Sequence, residues 1–117
     1  MEKLYYKKMN NSNNVLIIDL HNGFSIMSVS GFDSETGKCK ISLFIGQNGI
    51  DTWSLIEKAD GIEIDTHGNS LNMSILKLVS SYLESGFFDY YMKRYQFMVA
   101  CVDSFYNLLE KAQYDSE

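Results

Sequence analysis

Two Asp-x-His triplets, Asp19-Leu20-His21 and Asp65-Thr66-His67, are the residues of this chain best suited to chemistry. Two carboxylates and two imidazoles suit a divalent metal. Both triplets close apolar segments that read as strands, where alternate residues point the same way. Both also adjoin Asn-Gly or Gly-Asn sequence, where Asp and His bond nearby backbone in turns. The turn role is the expected one. A small metal-dependent hydrolase is the alternative that requires the two Asp-x-His sites to converge. Ser70 lies near His67 and Asp65, the three residue types of a nucleophilic triad, but no nucleophile-elbow sequence accompanies it. Gly46-Gln47-Asn48-Gly49 lacks the Gly-Lys-Ser/Thr ending of a phosphate loop and reads as a strand-to-helix turn. Cys39 and Cys101 form no Cys-x-x-Cys pair and are expected as a reduced, buried pair. The residues therefore predict no enzyme, no cofactor and no metal.

The charge points elsewhere. The chain carries a net charge of −5, and residues 41–76 hold Lys58 against Asp51, Glu57, Asp60, Glu63 and Asp65. Affinity for nucleic acid comes from neutralising phosphates, so direct nucleic-acid binding is not expected. A solvated polar face accounts for such a segment; so does a negative ridge that meets a basic protein surface. Aromatic residues are abundant, with 8 Tyr and 7 Phe. Of these, Tyr90, Phe97 and Tyr106 exceed what one buried helical stripe requires. Tyrosine is favoured at interfaces because it offers large area at low entropy cost. The candidate partner-binding set is thus Asp51, Glu57, Asp60, Glu63, Asp65, Tyr90, Phe97 and Tyr106.

These residues must be held by a small scaffold. At 117 residues the chain has the length of a single domain, 1–117, with the Asn-rich stretch 1–14 as a flexible N-terminal arm. Val15 to Leu20 and Phe24 to Ser30 read as strands around the hairpin signal Asn22-Gly23. A two-residue loop there pairs His21 with Phe24, Ile18 with Met27 and Leu16 with Val29. It predicts a core face of Leu16, Ile18, Leu20, Met27 and Val29. Lys38 to Ile45 alternates as a third strand. Asp51 or Thr52 is placed to cap a short helix carrying Trp53, Ile56 and Ala59, and Gly61 to Asp65 alternates as a fourth strand. Ser70 or Asn72 caps a helix with Ile75, Leu78, Val79 and Tyr82 on one face, ended by Gly86. A long helix over 89–112 has the stripe Tyr91, Tyr95, Met98, Val102, Phe105 and Leu109.

The expected fold is α+β: an antiparallel sheet of three to four strands, packed on one face by two to three helices, with a long C-terminal helix. No segment has the length and apolarity of a membrane span, and the start lacks a signal-peptide pattern, so a cytoplasmic protein is expected. Small acidic chains of this type, without a catalytic motif, resemble inhibitors of nucleic-acid enzymes: anti-defence proteins of phages and mobile elements, such as anti-CRISPRs, and immunity proteins for nuclease toxins. The expected partner is a protein with a basic surface, such as a nuclease or CRISPR effector. A structural accessory protein that self-associates, as a homodimer for example, is the alternative.

Overall fold

The computed structural model describes residues 5–8, 14–33, 35–66 and 68–115. The fold is α+β, an antiparallel sheet with two α-helices of which the last is long. The strands are β1 Tyr5–Lys8, β2 Val15–Asp19, β3 Phe24–Asp33, β4 Lys38–Gln47, β5 Trp53–Leu55 and β6 Ile62–Ile64, and the helices α1 Leu71–Ser85 and α2 Asp89–Asp115. The path β1-β2-β3-β4-β5 is a meander, and β6 also pairs with β4. The described sheet thus has six strands, more than the three to four expected. Tyr5–Lys8, within the expected flexible arm, pairs antiparallel with β2.

The meander of β2, β3 and β4 forms as its sequence implies, but the first hairpin is one residue out of the expected register. Ile18 pairs with Ile26 and Leu16 with Ser28, not with Met27 and Val29. Leu20 N–H donates to the Phe24 carbonyl at 3.0 Å, so the loop has three residues, His21 to Gly23. His21 takes a left-handed φ of 61°. Asp19 accepts from the His21 N–H at 2.9 Å, and Asn22 accepts from the Phe24 N–H at 3.1 Å. These side-chain bonds stabilise the longer loop.

A slip of one residue exchanges the two faces of a strand. Phe24, Ile26 and Ser28 therefore face the core, while Met27 and Val29 are half-buried on the opposite face. The core joins Leu16, Ile18, Leu20, Phe24, Ile26, Ile41, Leu43 and Ile45 of the sheet to Ile75, Val79, Phe88, Tyr91 and Tyr95 of the helical part.

Ser28 sits in this core between Leu16 and Leu43 on the neighbouring strands. It is fully buried, and its Oγ finds no hydrogen-bond partner among the described residues. An unpaired buried hydroxyl is costly, whereas a methyl group is not. Ser28→Ala is expected to raise unfolding stability by about 1 kcal/mol, read as a higher urea midpoint with an unchanged slope.

The expected helix over residues 51–60 is absent. Trp53–Leu55 is a strand and only Glu57–Ala59 makes a single 3-10 turn. Both β5 and β6 run antiparallel to β4, at opposite ends of it: Phe44 pairs with Leu55, and Cys39 with Ile64. The segment is therefore one edge strand interrupted by a turn. Ser42 on β4 secures that turn, donating to Asp60 at 2.6 Å and accepting from the Gly61 N–H at 3.2 Å. The stripe of Trp53, Ile56 and Ala59 that implied a helix is satisfied instead by burial of Ile56 and Ala59 at the interruption. The Gly46–Gly49 turn accordingly joins strand to strand, not strand to helix.

α1 begins at Ser70, whose Oγ accepts from the Met73 N–H at 3.1 Å, and ends at Gly86 with φ 78°. The left-handed cap suits glycine and turns the chain sharply into α2. With two α-helices described, the third helix of the upper expectation is replaced by the 3-10 turn. No helix among the described residues is long and apolar enough to cross a membrane.

Candidate functional site

α2 determines the shape of the molecule. At about 1.5 Å per residue its 27 residues span about 40 Å. Its first half is pinned to one end of the sheet. Tyr95, 1% exposed, donates its hydroxyl to the Thr52 carbonyl at 2.7 Å and meets Phe24 edge-on at 6.0 Å. Arg94 donates to Glu57 at 2.8 Å and to the Leu55 carbonyl at 2.9 Å, with its guanidinium 5.1 Å from the Tyr91 ring centre. Asn22, in the β2–β3 loop, lies against Met92 Sδ at 3.5 Å. These anchors run from the β2–β3 loop and Thr52 along β5 to the 3-10 turn at Glu57.

Past that end of the sheet no described residue lies beneath the helix. Every residue from 100 to 112 is exposed, and the long axis of the molecule reaches 65 Å. The apolar stripe nevertheless continues. Val102 is 47% exposed, Phe105 59%, Tyr106 62%, Leu108 66% and Leu109 43%. Asp103, Asn107 and Glu110 lie on the opposite side of the helix, by the 3.6-residue period. The stripe read from the sequence is thus real, but only its first half is core: Tyr91 and Tyr95 are buried, Met98 half-buried, and Val102, Phe105 and Leu109 open to solvent. Contiguous exposed apolar surface of this kind is uncommon on monomeric soluble proteins.

The three aromatics singled out in the sequence are all exposed, yet they do not form one patch. Phe97 and Tyr106 are nine residues apart, about two and a half turns, and so lie on opposite sides of α2. Phe97 lines a shallow depression of about 380 Å³ with Ala100, Cys101, Ser104, Phe105 and Leu108. Tyr90 lies near the base of the helix, lining another of about 300 Å³ with Lys58, Phe87 and Tyr91.

The five acids are exposed and lie along the interrupted edge from residue 51 to residue 65. Their charge is partly answered within the chain. Glu57 pairs with Arg94 at 2.8 Å and Glu63 with Lys38 at 3.2 Å. The hydrogen bond from Arg94 holds the Glu57 carboxyl below the usual glutamate range. Asp60 is bonded to Ser42. Asp51 precedes β5 and Asp65 lies just past β6. Charges on an exposed edge strand also discourage unwanted strand pairing. The acidic edge meets the helix base through the Arg94 and Tyr95 contacts.

The triplets are not brought together. Asp19 pairs with Ser25, which faces Gly46 at one end of β4, whereas Asp65 follows Ile64, which faces Cys39 at the other. Seven residues of strand, about 24 Å, separate the two ends. His67 lies outside the described residues. Asp19 instead holds the hairpin loop, and Ser70 is spent on the α1 cap. Among the described residues no cluster of three or more His, Cys, Asp or Glu is placed to hold a metal ion. The cysteines are free thiols but not a buried pair: Cys39 is half-buried on β4 and Cys101 is exposed on the projecting helix.

The missed residues, Val102, Phe105, Leu108 and Leu109, carry a signal in the sequence. A stripe of that length outruns a sheet whose strands are about 4.8 Å apart. Comparison of the chain with protein-family models, with curated protein sequences and with solved structures finds no match.

Proposed function

We propose that the chain is a non-catalytic protein-binding protein. The projecting half of α2 is buried against another protein chain, and the acidic edge of β5 and β6 selects a target with a basic surface. The observation that carries this reading is the exposed apolar stripe of Val102, Phe105 and Leu109, flanked by Tyr106 on one side and Leu108 on the other, on a helix with no described sheet residue below it. Buried aromatic and aliphatic anchors supply most of the energy of an interface, while rim charges set association rate and salt sensitivity. The exposed acids of that edge, Asp51, Glu57, Asp60, Glu63 and Asp65, are the rim charges of this surface.

This division of labour suits an inhibitor that occupies the basic surface of a nucleic-acid enzyme, as anti-CRISPR and nuclease-toxin immunity proteins do. Such a protein needs a stable scaffold and a complementary surface, and no catalytic residue. Function is thus expected to run through proteins in the cytoplasm and not through direct contact with nucleic acid.

The test is association of the chain, with itself and with proteins of its native host, compared between wild type and Phe105→Asp/Leu109→Asp. Both positions are exposed, so the fold should survive, shown by unchanged Trp53 fluorescence and circular dichroism. Each change is expected to weaken association by about 2 kcal/mol or more. Asp51→Lys/Asp65→Lys should slow association with a basic target and flatten its salt dependence. Association of every kind left intact by the helix variant contradicts the proposal.

A further inference from the structure

The geometry points to a second copy of this chain as the occupant of the projecting helix, paired antiparallel about a two-fold axis near Asn107. This rests on the reading of the helix as a contact surface and names what covers it.

Three features favour a second copy. The first is spacing. Tyr95, Val102 and Leu109 recur every seven residues, as do Met98, Phe105 and Ala112, the two interlocking series of a helix-pair seam. An antiparallel pair centred at Asn107 sets Phe105 against the partner's Leu109, and Val102 against the partner's Ala112. By symmetry each layer forms twice, and each sets a larger side chain against a smaller one. Cys101, Tyr106 and Leu108 flank the seam. Asn107 itself faces away, with Asp103 and Glu110, so no charge is buried.

The second feature is area. At their exposures Val102, Phe105, Tyr106, Leu108 and Leu109 each offer on the order of 100 Å², roughly 500 Å² per copy. Two copies together offer at most roughly 1,000 Å², at the lower bound of a specific interface. The segment from 100 to 112 is also at the length where a helix without tertiary support is marginal in water, about 12–15 residues. Pairing supplies that support.

The third feature is charge, which selects the direction. A parallel pair sets two bodies side by side, and each chain has a net charge of −5. An antiparallel pair holds them at opposite ends of a shared helical stem about 20 Å long, beyond the screening length of about 8 Å at physiological salt. The two acidic edges remain open at the ends, so one dimer can engage two basic sites and gain by avidity.

The experiment is sedimentation equilibrium of the full chain, with disulfide trapping of single-cysteine variants in a Cys39→Ser/Cys101→Ser background. A dimer is expected for the wild type. Phe105→Asp should raise its dissociation constant about 30-fold or more. Val102→Cys alone and Ala112→Cys alone should not cross-link, whereas an equal mixture of the two should. A wild-type monomer overturns the inference, even where capture of a host protein still depends on Phe105 and Leu109, which preserves the broader proposal. Self-cross-linking of Val102→Cys signals a parallel pair and also overturns it, as does a trimer or tetramer.

Discussion

Tyr95→Ala is expected to destabilise the protein by about 3–5 kcal/mol, the cost of truncating a large, fully buried aromatic. A domain of this size has roughly 5–15 kcal/mol in all. Tyr95 is the last fully buried residue along α2, and the rest of the helix depends on it. Its ring meets Phe24 and its hydroxyl reaches the Thr52 carbonyl, so one side chain ties the helix to both the first hairpin and the start of the edge strand. Tyr95→Phe isolates the hydroxyl and should cost about 1 kcal/mol. Urea unfolding followed by circular dichroism and by the single tryptophan checks both values. The difference between the two variants then measures the packing of the ring alone.

Gly46→Ala should cost about 1–3 kcal/mol by overpacking, and it should act through Trp53. Gly46 and Trp53 are cross-strand partners, and the indole ring fills the space where a Cβ on residue 46 would stand. A Cβ at residue 46 would fall 2.7 Å from the Trp53 ring. The backbone of Gly46 is not in the left-handed region, so alanine is unstrained there and the collision is the whole cost. Displacing the ring loosens β5 and exposes the tryptophan. A red shift in its emission should accompany the lower urea midpoint. In a Trp53→Val background the same substitution should cost much less, since the clashing atoms are gone and the two changes are coupled.

The Asn22-Gly23 pair located the hairpin, but Asp19 and Asn22 bond the loop backbone and lengthen it by one residue. The pattern of the strands could not reveal this, because β2 and β3 carry apolar residues on both faces: Ile17, Met27 and Val29 are as hydrophobic as Leu16, Ile18 and Ile26. α1 was legible apart from its first residue, since Gly86 marks its end by local chemistry, while Ser70 and Asn72 both suited the start and Ser70 makes the cap. Residues 51–60 misled because Trp53, Ile56 and Ala59 repeat at helical spacing, while their burial depends on β4, a partner distant in sequence. The stripe of α2 was legible as a stripe. Its exposure was not, because that depends on where the sheet ends. The candidate site divides in the same way: the acids and surplus aromatics are exposed as expected, whereas the largest part of the apolar surface had been assigned to the core.

Residues 100–112 are proposed as the surface by which this protein associates. Amide hydrogen exchange tests that role directly, comparing the chain at high dilution with the same chain in its associated form. Amides of 100–112 should exchange rapidly when dilute, as in a helix without tertiary support. They should become strongly protected on association, with little change in β2, β3 and β4. Protection that appears instead on the other sheet face around Ile17, Met27 and Phe44, or along the edge from Asp51 to Asp65 alone, with 100–112 still exchanging freely, would contradict that role.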